Sequence, residues 1–391
     1  MHMNKQLWQG SGSFERKKAG RRGAVPVALA MAVGVIAMDA LVSPAASAAP
    51  RQSAIQQGLN ALVRTDGVPA ALASFTGPDG RERTYTAGVG DLATGAKVPQ
   101  DGQVRIGSNT KAFTAVVVLQ LAGEGKIDLD ASVDTYLKGM VHGDGIDGNA
   151  IKVRQLLQHT SGLPNYSKYL SDDIRYYQPR DLLDLALQHK ADFGPGEKWA
   201  YSNTNYLVAG LIVEKVTGHA LPVEIDQRVI QRIGLRHTYF PHPGELAIRE
   251  RHPEGYYQDS PGAPLVDATQ WDPSWAWSAG QMVSTDSDLN RFYSELLKPG
   301  HLLKQEQFDQ MRSGVDADYP FPAGAKYGLG LVSTPLSCGG VYWGHGGSMT
   351  GYETRGGVTE DGRAFNIAVT TQPGPEAQKH MDQIVDAALC G

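Results

Sequence analysis

Apolar and polar positions follow two rhythms along this chain, and the rhythm changes twice. Residues 52–66 set Ile55, Leu59, Leu62 and Val63 on one stripe at helical spacing, which predicts an amphipathic helix. Residues 68–76 and 82–89 alternate with period two around Gly77-Pro78-Asp79-Gly80, the pattern of two strands joined by a turn. The apolar stretch from Ala112 to Leu121, closed by Gly123 and Gly125, predicts a buried helix. From about 130 to 300 the helical rhythm dominates, over Val153–His159, Asp181–Leu187, Tyr206–Val216 and Ser287–Leu297, joined by Pro/Gly-rich loops. Strand patterning returns over 327–333, 340–345, 351–358 and 364–372, and a last helix covers 375–389.

Strands at both ends with helices between them predict an α/β (α+β) fold. One antiparallel sheet is assembled from the two chain ends, about 49–130 and 300–391, and is flanked by helices. Residues of about 131–299 form a mostly helical inserted subdomain. No internal repeat or low-complexity tract stands out.

The first 48 residues belong to none of these elements. A basic segment (Arg16, Lys17, Lys18, Arg21, Arg22) precedes an apolar run from Ala24 to Met38, and Ala46-Ser47-Ala48 reads as a signal-peptidase site. The expectation is a removed signal peptide over 1–48 and a secreted mature chain of 49–391. The alternative is an uncleaved anchor, but the run contains Pro26 and stops at Asp39, which is short for a membrane span. Arg21-Arg22 lacks the apolar residues a twin-arginine signal needs just after it, which favours the general secretory route.

Composition narrows the function. Residues 1–48 hold six Lys/Arg and two Asp/Glu, so their removal takes the formal charge from −5 to −9. That balance argues against nucleic acid and against docking on anionic lipid, so no membrane is expected for the mature form. The two cysteines, Cys338 and Cys390, are expected to form a disulfide outside the cell. They lack metal-site spacing and no His-Glu-x-x-His occurs, so neither a metal nor an organic cofactor is expected.

Three short stretches carry chemistry. In Ser108-Asn109-Thr110-Lys111, residues i and i+3 share a helical face, so the lysine amine can reach the serine hydroxyl. Serine needs such a base to become a nucleophile, and burial lowers a lysine pKa enough to make it one. In Tyr201-Ser202-Asn203, after Gly194-Pro195-Gly196, the tyrosine can relay protons with phenolate character and Asn203 can hold a substrate amide. In His345-Gly346-Gly347-Ser348, glycines let a substrate lie along a strand edge, and a backbone N–H near Ser348 can join that of Ser108 in an oxyanion hole. Taken singly, each has a plain structural explanation: a capping serine with a solvated lysine, a core tyrosine, a strand-end turn.

In this order the three resemble the signature motifs of the penicillin-recognising serine hydrolases (peptidase family S12), a superfamily with a β-lactamase/transpeptidase-like fold. The resemblance is greatest to the secreted Streptomyces-type D-alanyl-D-alanine carboxypeptidase and covers nearly all of 50–391. It runs through Arg105-Ile106-Gly107-Ser108, His159-Thr160-Ser161-Gly162-Leu163, Tyr201-Ser202-Asn203-Thr204-Asn205, Ser274-Trp275-Ala276, Tyr327-Gly328-Leu329-Gly330-Leu331, Leu336-Ser337-Cys338-Gly339 and Leu389-Cys390-Gly391. It implies Ser108, Lys111, Tyr201 and His345 as catalytic residues, with Asn203, Trp275, Gly347 and Ser348 binding substrate. It also implies the Cys338–Cys390 bond.

The implied activity is a monomeric carboxypeptidase acting on peptidoglycan stem peptides or other D-amino-acid substrates and acylated by β-lactam antibiotics. Two departures keep alternatives open. Val332 stands where the family arginine holds the substrate's terminal carboxylate, and Gly346 replaces a threonine. Loss of a buried guanidinium–carboxylate contact costs about 2–5 kcal/mol, enough to change the preferred substrate. Arg355 is a candidate replacement, although a surface arginine is its ordinary explanation. The alternatives are a D-aminopeptidase-like amidase, an esterase or a β-lactamase on the same scaffold, and, in another class, a non-catalytic binder of muropeptides or penicillin.

Overall fold

The computed structural model describes residues 44–170, 175–260 and 262–391. The basic segment and apolar run of the expected leader lie outside them. Helices of eight residues or more are α1 (Pro44–Arg64), α2 (Thr110–Gly123), α3 (Pro179–Leu187), α4 (Asn203–Thr217), α5 (Asp286–Leu296), α6 (Gln305–Arg312) and α7 (Pro375–Cys390). None among the described residues is long and apolar enough to cross a membrane.

The main sheet consists of β1 (Ala70–Thr76), β2 (Glu82–Gly88), β3 (Val315–Asp316), β4 (Lys326–Tyr327), β5 (Val332–Pro335), β6 (Val341–Gly344), β7 (Gly347–Met349), β8 (Tyr352–Thr359) and β9 (Ala364–Val369). Every pairing is antiparallel, in the order β2-β1-β9-β8-β6-β5-β4-β3, with β7 also on β8. The two chain ends therefore meet inside one sheet, where β1 pairs with β9 in the register Ala71↔Val369. This is the mixed architecture expected, an antiparallel sheet flanked by helices.

Strand alternation decides which side chains face which layer. Ala71, Ala73 and Phe75 of β1 and Phe365, Ile367 and Val369 of β9 pack under α1 and α7, against Leu59, Leu62, Met381 and Val385. Leu72, Ala364 and Ala368 point the other way, into the core shared with α2 and α5. Both faces of β1 and β9 are thus covered. Cys338 and Cys390 form a disulfide that ties α7 to the turn between β5 and β6.

One expected strand is a hairpin. Residues 327–333 do not run straight, because Tyr327 pairs with Val332 and the Gly328 N–H donates back to the Leu331 carbonyl. Gly330 makes the turn at φ +82, and a Cβ there would lie 2.5 Å from the Ala115 Cβ. Only glycine fits that conformation and that gap.

Candidate active site

Ser108 sits in a single 3-10 turn, Gly107–Asn109, that runs directly into α2. Lys111, one turn on, is fully buried. Its Nζ lies 3.0 Å from Ser108 Oγ, 2.7 Å from Asn203 Oδ1 and 2.8 Å from the Ala279 carbonyl. Burial pushes this amine well below the ordinary lysine value. A neutral amine has two N–H groups, and the two carbonyl oxygens, which can only accept, take both. Its lone pair then faces the remaining neighbour, the Ser108 hydroxyl, so the geometry fits a base poised on its nucleophile.

Tyr201 also hydrogen-bonds Ser108, and its ring centre is 4.8 Å from Lys111 Nζ. The phenolate character expected for Tyr201 is not supported here. Burial pushes the phenol upward, and Lys111, its nearest cation, is itself short of charge. Tyr201 is therefore a protonated phenol, and of the two groups on Ser108 it is the Lys111 amine that is free to accept a proton.

His345 lies in the cleft between β6 and β7. Its Nε2 is 3.0 Å from the Tyr327 hydroxyl and its Nδ1 is 2.5 Å from the Gly346 carbonyl. A carbonyl only accepts, so Nδ1 carries the proton and Nε2 accepts from Tyr327. Burial, with Lys111 next, lowers its pKa to about 3, so the imidazole is neutral. Both nitrogens are committed to protein groups, which makes His345 a fixed part of the wall behind Tyr201, 6.3 Å between ring centres.

The nucleophile turn and β7 approach as closely as backbones can. A Cβ on Gly347 would lie 1.9 Å from the Ile106 carbonyl oxygen and 2.9 Å from the Ser108 nitrogen, and one on Gly107 would lie 2.7 Å from the Ser348 nitrogen. Glycine at both positions brings the N–H groups of Ser108 and Ser348 into one neighbourhood, the arrangement an oxyanion hole needs.

Three networks around these residues were not legible in the motifs. Asn109 donates to Thr354 Oγ1 at 2.8 Å and to the Ile106 carbonyl at 3.0 Å, and accepts from the Tyr293 hydroxyl at 2.7 Å, while Thr354 donates to the Gly347 carbonyl. Nucleophile turn and oxyanion strand are thereby fastened together. His159 is buried and its ring centre is 4.4 Å from that of Tyr201. Its Nδ1 accepts from the Ser202 N–H and the Asn205 amide, fixing a neutral ring under the phenol.

The third network overturns the surface reading of Arg355. Its side chain is only 16% exposed and lines the cleft, ion-paired to Glu353, with Nε 3.7 Å from Asp382 Oδ1. Gly346 makes room for it, since a Cβ there would lie 2.9 Å from Arg355 Nη1.

The cleft has a volume of about 390 Å³. Ser108, Tyr201, Asn203, His345, Gly347 and Ser348 open onto it, as do Val332 and the half-buried Trp275. Trp271, Tyr257, Tyr169, Tyr319 and Phe321 make much of the remaining lining aromatic. Of the reacting and substrate-binding residues expected from the sequence, all but Lys111 line this one cavity, and Lys111 lies buried behind it on Ser108 Oγ.

A buried lysine on a serine hydroxyl, a tyrosine phenol beside it and paired backbone donors are the site of a serine hydrolase. The chain belongs to the Beta-lactamase family, whose profile matches residues 51–389. It is 37% identical to a D-stereospecific amidohydrolase from Streptomyces sp., covering 87% of this chain and 98% of that one, with a TM-score of 0.78. It is 25% identical to the D-amino acid amidase from Ochrobactrum anthropi SV3, solved with L-phenylalanine amide, covering 86% and 98% of the two chains, with a TM-score of 0.76. Over 219 residues it is 28% identical to protein flp of Staphylococcus aureus, 54% of this chain and 42% of that protein. The chain thus spans less than half the length of that curated relative.

Proposed function

We propose that this protein is a serine amidohydrolase that cleaves amides or esters of D-amino acids through an acyl group carried on Ser108. Its preferred substrates present no free carboxylate to the cleft. The carrying observation is the state of the cations that line the cleft. A carboxypeptidase needs one to receive the terminal carboxylate. The strand position expected to supply it is Val332, which is apolar and lines the cleft. Arg355 is already opposed by Glu353 and Asp382. Lys168 belongs to the helical side of the cleft rather than to the sheet strands, and Lys111 is buried behind the lining. The similarity to a D-stereospecific amidohydrolase and a D-amino acid amidase supports the same reading.

In the cycle we propose, Lys111 takes the Ser108 proton as Oγ attacks the carbonyl. The oxyanion is held by the Ser108 and Ser348 N–H groups. Tyr201, which hydrogen-bonds Ser108 and lines the cleft, hands a proton to the leaving amine, taken in turn from Lys111. Water then attacks the acyl-enzyme with Lys111 again as base, which returns the proton to Ser108. β-Lactams, being cyclic amides, enter the same acylation step. The placement outside the cell rests on the leader-like residues 1–48.

The test pairs D-phenylalanine amide with its L-enantiomer and with a peptide ending in D-Ala-D-Ala. The expected result is a kcat/KM for the D-amide at least about tenfold above both others, a modest specificity for one contact. Intact mass should show an acyl adduct on Ser108. Faster release of D-alanine from the peptide than of ammonia from the amide would restore the carboxypeptidase reading.

A further inference from the structure

On the sheet side of the cleft two carboxylates share one guanidinium. Glu353 is 2% exposed and Asp382 partly buried; both line the cavity with Arg355 between them. Arg355 Nη1 also donates to the Thr354 carbonyl at 2.9 Å. Asp382 Oδ1 has no hydrogen-bond partner among the described residues, only the 3.7 Å approach of Arg355 Nε. The cluster therefore carries one negative charge too many. Burial raises both carboxyl pKa values despite the guanidinium, consistent with that shortage. Neither His345 beside the cluster nor Lys111 across the cleft makes up the difference, since burial depresses both.

Glu353 is also tied to the reacting end of the cleft. It is the register partner of Ser348 across β7 and β8, so the two side chains share a face. Ser348 accepts from Gln372 Nε2 at 3.1 Å and hydrogen-bonds the Glu353 carboxylate. The same residue 348 supplies the N–H aimed at the substrate carbonyl oxygen. In an α-amino acyl group the amine sits one carbon from that carbonyl.

We infer that Glu353 is a specificity-determining residue that receives the substrate's free α-ammonium group, which completes the charge pairing of the Glu353–Arg355–Asp382 cluster. This rests on the amidohydrolase reading and narrows it to unblocked D-amino-acid derivatives. Arg355 positions the carboxylate from behind, and Gly346 leaves the room for it to do so.

Binding can be separated from turnover in a Ser108→Ala background. Calorimetry compares D-phenylalanine amide with 3-phenylpropionamide, which has the same ring and amide but no amine. N-acetyl-D-phenylalanine, a carboxylate without an amine, is the third probe. The expected result is at least about thirtyfold tighter binding of the amine-bearing amide, the lower end for a buried charge pair. Adding Glu353→Gln should bring the ratio of the two amides below about threefold. Equal binding of both amides, or a Gln variant that weakens both and preserves the ratio, overturns the inference. Tightest binding of N-acetyl-D-phenylalanine also overturns it and makes Arg355 the anchor. Should the Gln variant fail to fold by circular dichroism, the two amides measured on Ser108→Ala alone still decide. A wild-type enzyme that hydrolyses no amide or ester, yet binds the amine ligand thirtyfold better, removes the activity reading and leaves the ammonium site standing.

Discussion

The two sides of the cleft treat charge in opposite ways. On the helical side, Lys111, Tyr201 and His159 are buried among apolar and aromatic neighbours, and each is driven toward its neutral form. On the sheet side, Glu353, Arg355 and Asp382 are buried as an ion cluster. Desolvation alone makes a base of an amine, so the helical side does chemistry without a dedicated activating carboxylate. A cluster with unequal charge does none, but it selects what lies beside it. On the proposed reading, Lys111 and Tyr201 carry the chemistry, and Glu353 with Arg355 carries the recognition.

Substitutions should separate these two sides. The largest effect is expected from Ser108→Ala, on the order of a 10⁵-fold loss of kcat with the thermal midpoint little changed, read by amide hydrolysis and calorimetry. Tyr201→Phe keeps the ring on Lys111 but removes the proton path, and about a 10²–10⁴-fold loss in kcat is expected, smaller for an ester whose leaving group needs no proton.

The pH profile follows from Lys111. The base must be neutral, and its pKa lies well below 10.5, so kcat/KM should rise with pH by up to about tenfold per unit through that depressed value and then level off. A rise still in progress near pH 10 would mean that Lys111 is an ordinary lysine.

Smaller still is the expected effect of Gly346→Thr, which intrudes on the Arg355 guanidinium, since its Cβ alone would lie 2.9 Å from Arg355 Nη1. A several-fold rise in KM for amine-bearing substrates, with kcat for esters nearly kept, would place its action on the sheet side. Reduction of Cys338–Cys390, which closes a segment of 52 residues, should cost about 4 kcal/mol of stability and leave kcat unchanged below the melting transition.

How much of this was legible beforehand depended on distance along the chain. Ser108 and Lys111 are one helical turn apart, so spacing alone predicts their contact. Tyr201 and His345 came through their short motifs and their order. Glu353 and Arg355 are 245 and 247 residues beyond Ser108, and nothing local in Tyr352-Glu353-Thr354-Arg355 says that the guanidinium is buried and faces Asp382. Asn109 reads as filler inside Ser-x-x-Lys, yet it bonds Thr354 and Tyr293 from two distant elements. The expected strand over 327–333 failed for a related reason. Its apolar alternation is real, but the tertiary fit of Gly330 against Ala115 bends it into a hairpin.

The placement of β9 bears on when a newly made chain can first work. That strand, Ala364–Val369, is the last to be synthesised and fills the slot between β1 and β8. Until it emerges, β8 pairs only with β6 and β7, and nothing joins that half of the sheet to β1. A nascent chain can carry Ser108 and Lys111 for more than 250 residues of elongation with no competent hydrolase formed. Activity would then begin only once β9 has been made, and a chain truncated before residue 364 would be inert despite holding every reacting side chain.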